Sequence, residues 1–203
     1  MLIVNHFFIM KFTSGKLSGA LLALLVIYSV FFYNSAVTKQ ENAKTAWSKV
    51  ESAYQRRADL IPNLVETVKG YAQHEKETLE AVIKARATAT QTKIDPTNLT
   101  PEQIAKFQQA QQSLSGALSR LLVTIEKYPE LKADKHILEL QSQLEGTENR
   151  IKVERDRFND AVNKYNIYIK KFPDNIFAKI FGFKEMVRFQ SNKGSEKTPK
   201  INF

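Results

Sequence analysis

Residues 46–71 read AWSKVESAYQRRADLIPNLVETVKGY, and their large apolar side chains recur at steps of three, four or seven. These steps place the side chains on one face of an α-helix, since a helix turns once in about 3.6 residues. The stripe continues to Leu79 and Val82, so we expect one amphipathic helix over residues 37–92. Pro62 lacks a backbone donor and predicts a kink. The stripe consists of Trp47, Val50, Tyr54, Ile61, Leu64, Val68 and Tyr71.

An uncharged segment lies on the N-terminal side of this helix. Residues 17–38 stand between Lys16 and Lys39. As a helix they span roughly 33 Å, which is about the thickness of one hydrocarbon core. We therefore predict a transmembrane anchor, with the lipid bilayer as its partner. A cleaved signal peptide and a buried core helix are the alternatives. Residues 33–36 fit a cleavage site poorly, since cleavage requires small residues in an A-x-A arrangement.

Residues 1–16 form a short flank before the anchor, and Met10 offers a second possible start of the chain. Lysines lie on both sides of the span, so the count of positive charges does not choose an orientation. A short basic segment ahead of an apolar run is typical of a signal anchor with a cytoplasmic N-terminus. We therefore expect a single-pass protein of the cell membrane whose helical domain is non-cytoplasmic. The lysines are Lys11 and Lys16 before the span and Lys39, Lys44 and Lys49 after it.

Two more long helices are predicted on the C-terminal side. Thr100 followed by Pro101 and Gln103 is a helix-start signature, and it begins a second stripe over residues 101–128. A third stripe covers residues 130–171. Both stripes end at aromatic-Pro-acid corners, because proline closes one helix and suits the first turn of the next. The corners are Tyr128-Pro129-Glu130 and Phe172-Pro173-Asp174.

The fold class that follows is all-α. Short connections between periodic helices imply antiparallel neighbours. We expect the transmembrane helix to be followed, over residues 39–190, by an elongated antiparallel bundle of three long helices and a short C-terminal helix. Residues 191–203 are polar and basic, and we expect a disordered tail there.

The helix lengths predict an imbalance within the bundle. At about 1.5 Å per residue, the first helix is ~84 Å long, the second ~42 Å and the third ~63 Å. The part of the first helix that carries Trp47, Val50, Tyr54 and Ile61 then lacks cover from the other two. An exposed apolar stripe favours a homo-oligomer or a membrane-protein partner. The alternative is that the last helix, or a fold-back at Pro62, covers the stripe.

The sequence offers no recognisable arrangement for catalysis, cofactor binding or metal binding. His74-Glu75 begins like a zinc peptidase helix, but Thr78 stands where the second histidine belongs. The Glu-x-x-His pattern of di-iron bundles fails as well, because Tyr71 and Ala133 occupy the glutamate positions. Cysteine is absent and the glycines of the body are isolated. We expect no enzymatic activity and no small-molecule substrate. The histidines are His6, His74 and His136.

The net charge of +9 is concentrated at the two ends of the chain, and residues 37–169 are nearly neutral. This distribution does not favour nucleic-acid binding. The charged run at residues 55–59 either binds an acidic group or forms a solvated face with local pairs, and we favour the solvated face. The last helix leaves two interpretations open. Its aromatic and basic residues lie on an anionic membrane surface, or its phenylalanines cap the far end of the bundle core, which we favour. They are Phe177, Lys179, Phe181, Phe183, Lys184, Arg188 and Phe189.

Several blocks of the sequence resemble the LemA family of bacterial membrane proteins. The most specific block is residues 54–72, and the resemblance covers about residues 17–190. It implies a single-pass membrane protein with an antiparallel helical domain, loosely linked to envelope or membrane-stress functions, and it supplies no catalytic residue. The prefix before Met10 and the tail after Asn192 depart from the family pattern. The other matching blocks are residues 46–48, 50–51, 74–75, 85–86, 128–133, 143–151, 165–166 and 172–173.

Two functional hypotheses follow from these patterns. The first is a non-enzymatic, membrane-anchored helical scaffold or adaptor that acts through protein contacts. The second is a regulatory accessory subunit of a membrane protease or transporter. An enzyme with an unrecognised site is a third and more distant alternative.

Overall fold

The computed structural model describes residues 2–71, 74–92, 94 and 99–189, with side chains from residue 18 onward. All of the regular elements among these residues are helices, which confirms the all-α prediction. The tail predicted for residues 191–203 lies outside the described part. The helices are α1 (Leu2–Tyr71), α2 (Lys76–Gln91), α3 (Pro101–Glu126), α4 (Pro129–Ala133), α5 (Lys135–Lys170) and α6 (Asp174–Phe181).

The helix expected over residues 37–92 is in fact two helices. Pro62 lies inside α1, which continues to Tyr71, and the break comes between Tyr71 and Lys76. The apolar stripe crosses this break with one step of eight residues, from Tyr71 to Leu79, and all the residues from Gln73 to Thr78 are polar or charged. A step of eight fits two helical turns, so periodicity alone did not reveal the connection.

The chain divides into two compact units, and α1 and α5 contribute to both. The anchor unit contains α1 up to Glu41 together with residues 164–185. The bundle unit contains residues 42–163 and continues from Met186.

Four long helices make up the bundle unit. Along α1, the positions Trp47 and Arg57 meet Phe158 and Glu148 of α5, so these two helices are antiparallel. Trp47 and Arg57 also contact Phe107 and Ser115 of α3. The residue numbers increase in the same order on both helices, so α1 and α3 are parallel. Arg86 of α2 donates to the Ala58 carbonyl of α1, and α2 runs back toward Ile94, which lies in the same apolar cluster as Trp47. The bundle therefore has an alternating topology of α1, α2, α3 and α5.

An aromatic group fills one part of the bundle core and is called here the Trp47 cluster. The ring centroid of Trp47 lies 5.5 Å from that of Phe107, 5.2 Å from that of Phe158 and 5.4 Å from that of Phe189. The side chain of Asn159 holds the backbone of Phe189 by accepting from its N–H at 2.9 Å and donating to its carbonyl at 3.3 Å. The cluster comprises Ala43, Trp47, Val50, Ala53, Tyr54, Ile94, Ile104, Phe107, Ile151, Phe158, Val162 and Phe189.

The idea of an exposed stripe around Trp47 is therefore wrong. Trp47, Val50 and Ile61 are 0% exposed, and Tyr54 is also buried. Cover comes from α3, from α5 and from the segment that carries Phe189, so the alternative in which the chain covers its own stripe holds. The fold-back lies after Tyr71 rather than at Pro62.

A second, aliphatic group fills the rest of the bundle core and is called here the Leu64 cluster. It draws on α1, α2, α3, α4 and α5, and Leu, Ile, Val and Ala side chains make up all of it. The cluster comprises Ile61, Leu64, Val65, Val68, Leu79, Val82, Ala89, Leu114, Ala117, Leu118, Leu121, Ile125, Leu131, Ile137 and Leu144.

The start of α3 is as predicted from the sequence. The Thr100 hydroxyl accepts from the backbone N–H of Gln103 at 3.2 Å, and the Gln103 side chain accepts from the backbone N–H of Thr100 at 3.1 Å. This reciprocal pair satisfies two backbone donors that have no partner within the helix.

Replacing Trp47 tests the closed aromatic cluster. We expect Trp47→Ala to lower the free energy of unfolding by about 3–5 kcal/mol, because it leaves a cavity among three aromatic rings. Denaturant unfolding of the full chain in detergent, followed by circular dichroism, measures this loss. Ser48→Ala is the matched control on the exposed side of the same turn, and we expect it to change stability by less than about 0.5 kcal/mol. Equal small effects of the two substitutions would contradict the burial of Trp47.

Candidate functional site

The charged run at residues 55–59 divides between solvent and core. Gln55, Arg56 and Asp59 are exposed, and the Gln55 amide donates to an Asp59 carboxylate oxygen at 2.7 Å. Arg57 is buried, with 3% of its surface exposed. The interpretation as a solvated face with local pairs is correct for Gln55, Arg56 and Asp59 and wrong for Arg57.

The guanidinium of Arg57 joins three helices. One terminal nitrogen donates to Glu148 of α5 at 2.8 Å and to the Ser115 hydroxyl of α3 at 3.0 Å. The other terminal nitrogen donates to the side-chain oxygen of Gln111 at 2.8 Å. Such pairing is needed because a guanidinium stays charged in a protein and its burial without partners is costly.

Gln111 extends this network to α2. Its side-chain nitrogen donates to the Ala89 carbonyl at 3.4 Å, while Arg86 of α2 donates to the Ala58 carbonyl of α1 at 2.8 Å. The polar layer, as these residues are called here, thus connects α1, α2, α3 and α5. It consists of Arg57, Ala58, Arg86, Ala89, Gln111, Ser115 and Glu148.

The polar layer falls between the two apolar clusters. Along α1, Tyr54 belongs to the Trp47 cluster and Ile61 to the Leu64 cluster, with Arg57 between them. The guanidinium carbon of Arg57 lies 5.2 Å from the ring centroid of Tyr54. Burial raises the pKa of the Tyr54 hydroxyl, and the nearby cations Arg155 and Arg57 act in the opposite direction. Tyr54 therefore stays neutral at physiological pH.

Sequence reasoning missed Arg57, although the pattern contained a signal. Arg57 lies three residues after Tyr54 and four before Ile61, so it occupies a position of the buried stripe. Residue type alone assigns a charged side chain to solvent, whereas the position of Arg57 on the stripe predicts burial, and position decides here.

A second buried charge lies on α5. Glu154 is 1% exposed and accepts from Arg150 at 2.8 Å and from Arg157 at 2.9 Å, both on the same helix. The two arginines are four residues before and three residues after it, which are the helical spacings that bring side chains together. Their positive charges offset the negative charge of Glu154, which lies on the buried stripe of α5 between Ile151 and Phe158.

Two surface grooves flank α5 and differ in charge. The basic groove, of about 540 Å³, runs between α1 and α5 and carries three cationic residues. The acidic groove, of about 600 Å³, runs between α3 and α5 and carries three glutamates above Leu118, Leu122, Val123 and Leu144. The charged residues are Lys49, Arg56 and Arg150 in the basic groove and Glu126, Glu145 and Glu148 in the acidic groove, which Arg57 also lines from below.

The histidines do not come together in the described structure. His74 lies in the connection between α1 and α2, and His136 lies in the first turn of α5, where both are exposed. His6 precedes the residues whose side chains are described. Among those that are described, no group of three or more His, Cys, Asp or Glu is arranged to hold a metal ion.

The anchor unit has an aromatic cluster of its own. Phe177 lies 5.2 Å from Tyr28 and 5.8 Å from Phe32, measured between ring centroids. Phe181 lies 5.4 Å from Tyr33, and Tyr168 of α5 stacks on Phe32 at 5.4 Å. The phenylalanines of the last helix thus pack against residues 28–33 of α1. The expectation that they cap the far end of the bundle core is wrong for Phe177 and Phe181.

Phe189 behaves differently from these residues, because it belongs to the Trp47 cluster of the bundle unit. The favoured interpretation of core packing is therefore correct for this one phenylalanine.

Within the anchor unit, Tyr165 is fully buried and its hydroxyl donates to the Lys184 carbonyl at 2.9 Å. Burial raises the pKa of Tyr165 to about 12.

One stretch of the described chain, within Ser18–Tyr71, is long and apolar enough to cross a membrane. The large apolar side chains between Leu21 and Phe31 are exposed, as lipid contact requires. Together with the closed bundle and its surface grooves, this helix defines a membrane-anchored helical-bundle protein.

The comparison with known families narrows this class. The LemA family matches residues 46–203, and the chain belongs to that family. Magnetosome protein MamQ 2 of Paramagnetospirillum magneticum is 29% identical over 186 residues, which cover 83% of this chain and 68% of the relative. Magnetosome protein MamQ of Magnetospirillum gryphiswaldense is 28% identical over 186 residues, with the same coverage. Protein LemA of Metamycoplasma hominis is 24% identical over 179 residues, which cover 85% of this chain and 78% of the relative.

Substitution of Arg57 tests the polar layer. We expect Arg57→Ala to lower the free energy of unfolding by about 1–3 kcal/mol, since it leaves the buried side-chain oxygen of Gln111 without its charged donor and removes the link between three helices. We expect Glu148→Gln to cost less than about 1 kcal/mol, because the Glu148 side chain is 64% exposed. Denaturant unfolding of the full chain in detergent gives both values.

Arg56→Ala is the neighbouring control, and its expected effect lies within about 0.5 kcal/mol. If Arg57→Ala and Arg56→Ala destabilise the protein equally, the buried network does not hold the four helices together.

Proposed function

We propose that the protein is a non-enzymatic, membrane-anchored scaffold that assembles through the bundle unit, with a second copy of the chain as its partner. The observation that carries the proposal is the opposite charge of the two grooves that flank α5. Membership of the LemA family supports membrane association, whereas the scaffold role and the partner are our inference.

The basic groove has the features of a contact surface for an acidic partner. Lys49 and Arg56 are exposed on α1, and Arg150, whose guanidinium pairs with Glu154, joins them from α5. The groove is floored by small residues, Ala53 and Gly146, so a partner side chain can approach the helix backbones closely. A cluster of cationic side chains attracts an acidic surface and orients it before contact.

The acidic groove offers a complementary surface on the same molecule. Glu145 and Glu148 line it from α5 and Glu126 from α3, above a floor of leucines. Two of these acids already have partners, since Glu148 pairs with Arg57 and Glu126 with Lys132. The groove therefore offers Glu145 and the apolar floor as its principal contacts. A leucine-floored groove with an acidic rim suits a basic, partly apolar helix face.

Contact between the basic groove of one copy and the acidic groove of another is head-to-tail. Such heterologous contacts build rings or open arrays rather than closed dimers. Copies anchored in one membrane are already concentrated and aligned, so weak contacts suffice for assembly.

The names of the magnetosome relatives state no enzymatic activity.

Photocrosslinking in membranes tests this function directly. A photoreactive residue at Ser52, which is exposed and lines the basic groove, is expected to yield a crosslink to a second copy. The same residue at Lys106, an exposed position on α3 outside both charged grooves, is the matched control and is expected to yield none. Products are identified by mass spectrometry after crosslinking in the native host.

Charge reversal in the basic groove sharpens the same experiment. We expect Lys49→Glu with Arg56→Glu to reduce the self-crosslink at least about tenfold, because like charges then face each other across the contact. Lys69→Glu with Lys84→Glu changes the net charge equally at exposed positions elsewhere and is expected to leave the crosslink intact. A dominant crosslink to one membrane protease or transporter, whose turnover depends on this protein, would replace the scaffold by the accessory-subunit hypothesis. Absence of any product from Ser52 would reject both.

A further inference from the structure

The outer face of α6 carries large apolar side chains in solvent. Ile176 and Ile180 lie one turn apart and are 49% and 69% exposed. Phe172, which directly precedes the helix, is 81% exposed. An α-helix of eight residues that exposes this much apolar surface is unusual for a water-facing element, because contiguous apolar patches are normally covered.

The inner face of α6 is already occupied. Phe177 and Phe181 pack against Tyr28, Phe32 and Tyr33 of α1, with ring centroids 5.2–6.3 Å apart. Ala178 is buried on the same side, and the start of the helix is fixed because the Tyr28 hydroxyl donates to Asp174 at 2.7 Å. Burying the outer residues would therefore require a partner from outside the anchor unit.

The position of α6 on α1 indicates which partner that is. The residues of α1 that α6 contacts, 28–33, form the aromatic end of the exposed apolar stretch that begins at Leu21. Tyrosine at the end of a membrane-spanning helix lies at the level of the lipid headgroups. Phe31, on the free side of α1 at this level, is 70% exposed. The apolar surface of α6 is thus a direct continuation of the lipid-facing surface of the anchor.

We propose that α6 lies in the interface of the bilayer that α1 spans, with Phe172, Ile176 and Ile180 inserted among the upper acyl chains. Residues 164–185 contain five lysines against two acids. Lys171, Lys179 and Lys184 are exposed around the apolar face, where an anionic headgroup layer attracts them. The ligand is therefore a lipid surface with anionic headgroups.

This placement gives the anchor a second point of contact with the membrane. A single spanning helix rotates freely about its own axis in a bilayer, whereas a helix with an interfacial side arm does not. Because α6 is held on α1 by the aromatic cluster, insertion of its outer face fixes which side of residues 28–33 faces lipid. The inference does not depend on the scaffold function and survives its failure.

Fluorescent labels on the outer face test the proposal. The chain has no cysteine, so Ile176→Cys and Ile180→Cys each provide a single attachment point for an environment-sensitive fluorophore. The full chain is reconstituted into vesicles of equimolar phosphatidylcholine and phosphatidylglycerol. Lipids with a nitroxide near the headgroup then report membrane contact, and aqueous iodide reports exposure to water. Phe31→Cys is the lipid-facing reference and Lys106→Cys is the water-facing reference.

We expect the labels at positions 176 and 180 to be quenched by the nitroxide lipid as strongly as the label at position 31. We expect iodide to quench them several-fold less than the label at position 106. In vesicles of phosphatidylcholine alone, we expect weaker nitroxide quenching at positions 176 and 180 and no change at position 31, because the lysines then lack anionic partners.

Iodide quenching at positions 176 and 180 that equals the quenching at position 106 would overturn the proposal. Protection from both quenchers would also overturn it, because the outer face would then be buried in a protein contact. Nitroxide quenching that is the same in neutral and anionic vesicles would overturn the role of the lysines. Circular dichroism of each labelled variant confirms that its helix content matches that of the unsubstituted chain.

Discussion

The buried guanidinium of Arg57 sets the register of the bundle. It is permanently charged and lies between two apolar clusters, so its burial is tolerated only while its two terminal nitrogens are paired. The partners come from α3 and α5, and they meet Arg57 only when both helices stand at one particular height against α1. A shift of α3 by one turn would bring Phe107 or Ser115 to the place of Gln111. Such a shift leaves the charge with fewer acceptors, which disfavours every alternative register.

The polar layer also separates two kinds of core. On one side of it, three phenylalanine side chains surround Trp47 and Tyr54, and on the other the core is aliphatic throughout. Aromatic rings are large and rigid, and they leave gaps that helices alone do not fill. The non-helical residues 186–189 close the Trp47 cluster by placing Phe189 against Trp47, and Asn159 fixes that segment through its backbone. The aliphatic cluster is filled by helices alone, and the short helix α4 closes it with Leu131.

The sequence predicted the parts of this structure that depend on local rules. Helical periodicity gave the stripes of α1, α3 and α5, and the Thr100 capping box gave the start of α3. Periodicity failed between Tyr71 and Leu79, because a spacing of eight residues is compatible with an unbroken helix. It failed at Phe189 as well, since that residue lies in no helix. These two features help to cover the apolar stripe around Trp47, and without them the sequence left open whether the stripe is exposed or covered by the chain itself.

The candidate sites were harder to predict, because they arise from neighbours that are distant in sequence. Arg57 and Glu148 are 91 residues apart, and the two grooves exist only because α5 lies beside both α1 and α3. Residue type indicated only that Arg56 and Lys49 belong on a surface. Opposite charge on the two sides of α5 became visible once the order of helices around the bundle was known.

The anchor unit shows the same dependence on distant contacts. Residues 28–33 and 172–183 lie about 140 positions apart, and the Tyr28–Asp174 hydrogen bond and the aromatic contacts bring them together. Gly182 ends α6 in a left-handed conformation, with φ of 75°, that favours glycine, and the next residue, Phe183, then turns back onto Phe32. Lys170 and Glu185 pair across this return at 2.7 Å. None of these contacts uses the outer face of α6. The apolar character of its outer face is therefore not required by packing within the anchor unit, and its cause has to be sought in what surrounds the protein.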